Sequence, residues 1–521
     1  MFAHVHATGL AYYAHAGAWI PLANTTGANF TGDVTFADGA DIITATAGTD
    51  NVRLGEGAGD SIASGGNQNV TIGKDAGTAL TTGDSNTFIG AKVGDAITTS
   101  SQNVAIGGDP SYAALGTDTL GKFTTAIGVG ALTTQNFTSD TASNNTAVGY
   151  FAGGVMTTGT NNTFLGANSG DDCVDGTNNV AVGYLSLSAD AGNNNVAVGS
   201  ECLEANTAAN NTGVGYKALH ANTSGANNTG LGSYALVSNT TGSANTAVGN
   251  DCMDSVTTGG YNTAIGVDAL QANTTGSSNN AVGSGALGTS TTASNNVAFG
   301  NSALAYSTTA SSNTALGHYA GWAVTTGNNN VLIGLAPGYA SNAANKLTTG
   351  SDNILIGNQV NLAATSDSNS FVFGVGGYVG KGSNTSLMDP NSGSNYQSNN
   401  NASWATTSDR RLKKNIVDSP IGLAEINQIK VRNFEYKTED DLSEIETDGL
   451  CKNDIIKSTG VQVSAIAQEI QAVLPKCVTE ESTGVLSVNA DNLTWHLVKA
   501  VQELSAKNDA LEARIVTLET G

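Results

Sequence analysis

Residues 245–266 read NTAVGNDCMDSVTTGGYNTAIG. The phrase NTAVG returns as NTAIG, with Gly249 and Gly266 standing 17 residues apart. Outward in both directions the phrase recurs from Gly55 to Gly374, in 19 units; 12 of the 18 intervals are 17 residues and the others 16, 18, 21 or 23. A fixed period with occasional insertions is one structural rung repeated, with loops added at a corner.

The columns of the repeat carry the physics. The residue before the glycine is always Val, Ile, Leu or Phe, as in Val148, Ile265 and Phe299, and two further back lies mostly Thr or Val, with Ala between. Period-2 alternation over so short a run predicts a strand. Four before the glycine, 17 of the 19 units place Asn, such as Asn145, Asn245 and Asn313. Asn tolerates turn backbone and stacks into ladders, while the glycine permits a sharp bend or close approach. A second apolar pair follows, Ala218-Leu219 or Ala269-Leu270, and then a polar turn such as Asn273-Thr274-Thr275-Gly276. Each unit is therefore expected to hold two very short strands and two turns. One unit cannot bury its own apolar face, so neighbours must stack. The fold expected is mainly β, an elongated β-roll or β-solenoid rod. At about 4.8 Å per rung it is on the order of 90 Å long. Rungs so thin leave apolar surface that three chains side by side would cover.

Composition divides the chain at one point. Residues 1–407 hold 60 of the 65 glycines and 7 Lys+Arg against 24 Asp+Glu; residues 408–521 hold 5 glycines and 13 against 19. A shift from charge-poor and glycine-rich to charge-rich marks a domain boundary. Four regions are read: 1–50, an N-terminal β segment for attachment; 51–382, the rod; 383–407, a polar linker; and 408–521, a small α/β domain. The net charge of −23 argues against nucleic acid as a partner. No apolar run reaches the length of a membrane span, and the N-terminus lacks the pattern of a secretory signal.

Other residue types give weaker leads. Five cysteines at wide spacing suit neither a disulfide framework nor a zinc site. Cys202 and Cys252 fall in the slot Ala fills elsewhere and read as core, whereas Cys173 has no such slot. His4 and His6 share a strand face, and in a trimer six imidazoles would suit an octahedral metal; a solvated pair on a hairpin is the simpler reading, and no metal or cofactor is expected. Asp171, Asp172 and Asp251 lie in turns, and nothing marks any of them as half of a glycosidase carboxylate pair.

The NNTAVG rungs resemble the NSVAIG repeats in the heads of trimeric autotransporter adhesins and the Gly/Asn/Thr-rich repeats of phage tail fibres and tailspikes. At the junction, Ser408-Asp409-Arg410-Arg411-Leu412-Lys413-Lys414-Asn415-Ile416 resembles the self-cleavage motif of the intramolecular chaperone of endosialidase. GVQVSAIAQEIQAVLP (460–475) and LSVNADNLTWHLVKAVQELSAKNDALEARI (486–515) follow in the order of that domain. The resemblance implies Ser408 as nucleophile, Lys413 as base and cleavage between Thr407 and Ser408. A serine hydroxyl needs a base beside it. A lysine serves only when burial or a positive neighbour lets it shed its proton, and Arg410, Arg411 and Lys414 crowd Lys413. His496 could approach only through the fold. Where the family commonly has Asp-Tyr after the LSV segment, this chain has Asn489-Ala490-Asp491. Without the later blocks, the motif would read as a helix start with Ser408 as N-cap.

Leu497, Val501, Leu504, Asn508, Leu511, Ile515 and Leu518 step by 4, 3, 4, 3, 4, 3, a heptad seam with Asn508 at an a position. The expectation is a phage tail fibre: a homotrimer in the virion, joined to other tail proteins and binding a host receptor or glycan. Its self-cleaving domain would direct folding and be released in the host cytoplasm. The alternatives are a glycan-degrading tailspike and a bacterial trimeric adhesin.

Overall fold

The computed structural model describes residues 47–109, 111–339, 345–377, 379–389, 413–437, 460–480 and 485–521, Arg410, and strand segments at 4–5, 11–15, 18–23, 395–397 and 405–406. The chain divides into two compact units, Met1–Thr407 and Ser408–Gly521.

The first unit is a β-solenoid with one three-residue strand per rung. Thr229–Leu231, Thr246–Val248 and Thr263–Ile265 pair in parallel and in register, Thr229 beside Thr246 beside Thr263. The same pairing runs rung to rung from Val52–Leu54 to Phe371–Val375. Each strand bonds to the rungs before and after it, so the ladder extends along an axis and does not close on itself.

The alternation sorts inside from outside. The central Ala247 and Ala264 are fully buried, while the larger Ile265, Phe299, Leu316 and Leu165 beside the glycines are exposed. The interior is narrow and filled by Ala, Leu and a few larger side chains such as Phe88 and Phe164. The outward apolar residues form one stripe along the rod.

The second strand expected in each rung does not form. Ala218-Leu219 and its equivalents are buried, but they lie in a turn with Leu219, Leu236 and Leu270 in left-handed backbone at φ 55°, 54° and 52°. A rung this short must reverse direction within a few residues, and left-handed corners do that where a strand cannot. Backbone bonds still tie the corner across rungs: Leu219 N donates to Ala235 O at 2.9 Å and Leu236 N to Cys252 O at 3.0 Å. The repeated glycine has two reasons to be glycine. Gly249 sits at φ 143°, and a Cβ there would lie 2.5 Å from the carbonyl oxygen of Gly266 on the next rung.

The asparagine column is a buried ladder. Asn262 N donates to Asn245 Oδ1 at 3.0 Å, and Asn262 Nδ2 donates to Gly276 O at 2.9 Å. Asn279 repeats both bonds one rung on, to Asn262 Oδ1 and Ala293 O. Each amide thus satisfies backbone groups that water cannot reach. Where the column has Thr124, its N–H still meets Asn103 Oδ1 at 3.0 Å, and the buried Gln135 reaches in to accept from Asn145 Nδ2 at 2.9 Å. Gln135 is held in turn by Asp118.

Cys202 and Cys252 fill the alanine slot as read from sequence, fully buried, and burial pushes both thiols up to about 12. Cys173 also proves to be core. It is fully buried seven residues past its rung glycine, as Met156 is on the rung before, with burial pushing the thiol up to about 11. Thiols so held are inert.

At its C-terminal end the ladder changes direction. Ser386–Asp389, inside the stretch read as a linker, pairs in parallel with Phe371–Val375 and buries Leu387. The SLM alternation repeats the rung pattern without its glycine. Asn395–Gln397 and Ala405–Thr406 then add antiparallel. At the N-terminus, His4–Val5, Ala11–His15 and Ala18–Ala23 form an antiparallel sheet; His6 lies outside the described residues. No helix among the described residues is long and apolar enough to cross a membrane.

Candidate functional site

The second unit is built on a small core of Ile470, Leu474 and Cys477, against which Ile421, Ile426, Val478, Val488 and Leu493 pack. Among the described residues three α-helices surround it: α1 (Leu423–Ile426), α2 (Ala467–Val473) and α3 (Ala490–Thr520). The described residues also form two antiparallel pairs, Arg432–Phe434 with Gln462–Ser464 and Val478–Glu480 with Leu486–Val488. The block 460–475 therefore supplies one strand and α2. Arg432 ties this sheet to α2 through a two-pronged pair with Glu469, at 3.1 and 2.7 Å, and the guanidinium holds the Glu469 carboxyl below its usual range.

Asn489 does structural work. Its side chain accepts from Asn492 N at 3.0 Å and caps α3, so the departure at Asn489-Ala490-Asp491 supplies a preferred N-cap residue. One side of α3 is tied to the segment before α1: Glu503 accepts from Leu423 N at 2.9 Å, and His496 Nδ1 lies 3.4 Å from Ser419 Oγ. The Glu503 clamp, which bonds a backbone N–H at the start of α1, left no signal in the sequence, because it joins residues 80 apart. The heptad side of α3 is open. Val501, Leu504, Leu511, Ile515 and Leu518 are all more than half exposed.

Of the junction residues, Thr407, Ser408, Asp409, Arg411 and Leu412 lie outside the described residues. Lys413 is exposed, its N–H bonded to Arg410 O at 3.1 Å, and residues 413–420 form no helix. His496 faces Ser419, a contact distinct from the participation considered for it.

On the rod, Glu201, Glu204 and His220 bring ligand-type atoms within 4.8 Å of one another. Each carboxylate already has a basic partner from the next rung, Glu201 with Lys217 at 3.1 Å and Glu204 with His220 at 3.0 Å. The arrangement reads as a cross-rung charge network. Asp171 is set apart by its environment: burial, then the neighbouring Asp172, pushes its carboxyl up to about 6.

No curated protein and no solved structure matches the chain. Residues 408–479 match the family model described as chaperone of endosialidase. The match begins at the first residue of the second compact unit. The second unit carries a chaperone-of-endosialidase domain behind a β-solenoid rod, the organisation of a tailspike or tail-fibre type of protein.

Proposed function

We propose that the chain is a phage tail fibre, a homotrimeric virion protein whose C-terminal domain aligns three copies and is then released by autoproteolysis. The observation that carries this reading is the coincidence at one bond: the family match and the second compact unit both start at Ser408. The N-terminal sheet attaches to other tail proteins, and the rod meets the host receptor or glycan.

Two surfaces support assembly from copies of the chain. The heptad side of α3 faces solvent while its other side is occupied by Glu503 and His496 contacts. Burying one such apolar side chain is worth about 1.5–3 kcal/mol, so five per helix provide a substantial drive to a parallel coil. The outward stripe of Leu165, Leu231, Ile265, Phe299 and Leu316 offers the rods a matching contact. A clamp is useful because one rung resembles the next, and a slip by a whole rung costs little.

In the cut, the Lys413 amine takes the Ser408 hydroxyl proton. Ser408 Oγ attacks the Thr407 carbonyl carbon, the Thr407–Ser408 C–N bond breaks with a proton passing to the leaving amine, and water hydrolyses the ester. A lysine base must be desolvated to be neutral, yet Lys413 is exposed in the single chain. Burial by neighbouring copies would then make cutting depend on assembly. Expression of the full chain and its Ser408→Ala variant tests this. Mass spectrometry should find a C-terminus at Thr407 in the wild type and uncut chain in the variant. Cutting of the variant at the same bond would refute the nucleophile.

A further inference from the structure

Aromatic rings meet across rungs at several places on the rod, and one group is larger than Tyr112–Phe151–Tyr150 or Tyr216–Tyr234. Tyr306, Trp322 and Tyr339 stand at the same corner of three successive rungs, five or six residues past Gly300, Gly317 and Gly334. Their rings meet edge to face, with centroids 4.4 Å apart for Tyr306–Trp322 and 4.9 Å for Trp322–Tyr339. Tyr319 joins them 6.3 Å from Trp322, and the His318 ring lies tilted against Tyr319 with centroids 3.9 Å apart. Tyr306 and His318 are exposed, and the other three rings are half-buried. The patch adjoins the longest interval in the repeat, the 23 residues from Gly334 to Gly357.

Within this interval lies Lys346. Its ammonium sits 5.6 Å from the Trp322 ring centroid and 5.1 Å from that of Tyr339. Other rod cations, Lys74, Lys122 and Lys217, each meet a carboxylate. Among the described residues Lys346 has none and is held over rings. In a unit with a large excess of acidic side chains, a half-buried cation held by aromatic faces is complementary to an anion.

We propose that this patch is a binding site for a saccharide chain carrying carboxylates. Ring faces carry partial negative charge and attract the C–H faces of pyranose rings, while tyrosine hydroxyls and the indole N–H meet their polar rims. One aromatic per rung gives a linear track for a polymer of similar repeat, and Lys346 selects its acidic members. This inference rests on the reading of the rod as the part that meets a host glycan.

The test uses the full chain on an array of hexuronate, other carboxylated and neutral oligosaccharides, with Trp322→Ala and Lys346→Met. Carboxylated oligosaccharides should bind the wild type. Trp322→Ala should weaken all binding at least tenfold, and Lys346→Met should weaken acidic binding tenfold while sparing neutral binding. Lys346→Met changes a side chain that fills no core position, so it remains informative if Trp322→Ala fails to fold. Wild type that binds no saccharide, or variants that bind as well as wild type, would overturn the site. Trp322 shielded from acrylamide quenching in the unliganded assembly would overturn it too, assigning the patch to a contact between copies. Processing and assembly are followed on the same preparations. Saccharide binding lost with processing intact counts against this site and leaves the fibre reading standing.

Discussion

Replacing Asn279 with Ala tests the physical account of the rod. Asn279 Oδ1 accepts from Asn296 N and Asn296 Nδ2, both at 3.1 Å, and its Nδ2 donates to Ala293 O at 2.8 Å. All three side chains or their rung neighbours are buried. The variant leaves one backbone N–H and one backbone carbonyl without these partners. Each stranded group costs about 1–3 kcal/mol, so the rung should weaken by about 2–6 kcal/mol. Because a solenoid is stabilised mainly between nearest neighbours, the loss should stay local. Native-state hydrogen exchange is the assay. With 1.4 kcal/mol per tenfold, protection at Asn296 and the adjoining strand amides should fall by roughly 30-fold to 20,000-fold. Amides several rungs away should hold. Unchanged protection at Asn296 would refute the reasoning, since it would mean that water replaces the amide and that the ladder is not a dry column.

Gly249→Ala should be more damaging than an alanine elsewhere in the rung. It places a Cβ 2.5 Å from Gly266 O in backbone at φ 143°, and a cost of about 3 kcal/mol or more should lower the denaturation midpoint. Asp171→Asn should flatten a pH dependence. The folded carboxyl is raised to about 6 by burial and Asp172, so its favourable contribution is complete below the unfolded value near 4 and is lost as pH rises towards 6. The variant should therefore gain stability at pH 7 relative to pH 4, by no more than about 1 kcal/mol once solvent screening is allowed for. Thermal midpoints at the two pH values provide the measurement.

The rod was legible in the sequence because its constraints repeat. Nineteen copies of one glycine and 17 of one asparagine expose columns that a single domain would hide. The Ala-Leu pair misled because its pattern says only that it is buried. A left-handed leucine such as Leu270 is disfavoured locally and is held there by the stack. Cys173 resisted assignment because its column changes identity, from Met156 to Cys173 to Asn206. The aromatic track escaped notice because its residues fall at offsets that vary by one and become neighbours only when rungs stack. In the second unit the heptad could be read from spacing, but the Glu503 clamp could not.

The reversal at the end of the ladder bears on how the rod controls its length. A parallel stack whose last strand is open is a template on which further rungs of another molecule could grow. Here Asn395–Gln397 runs against the stack and Ala405–Thr406, only two residues long, turns back along it, so the terminal edge is a very short strand outside the rung repeat, which blunts it as a template. Release at Thr407, as proposed, would leave that short strand at the C-terminal end of the rod. Length would then be counted out by the gene, rung by rung, and not left to a polymerisation equilibrium.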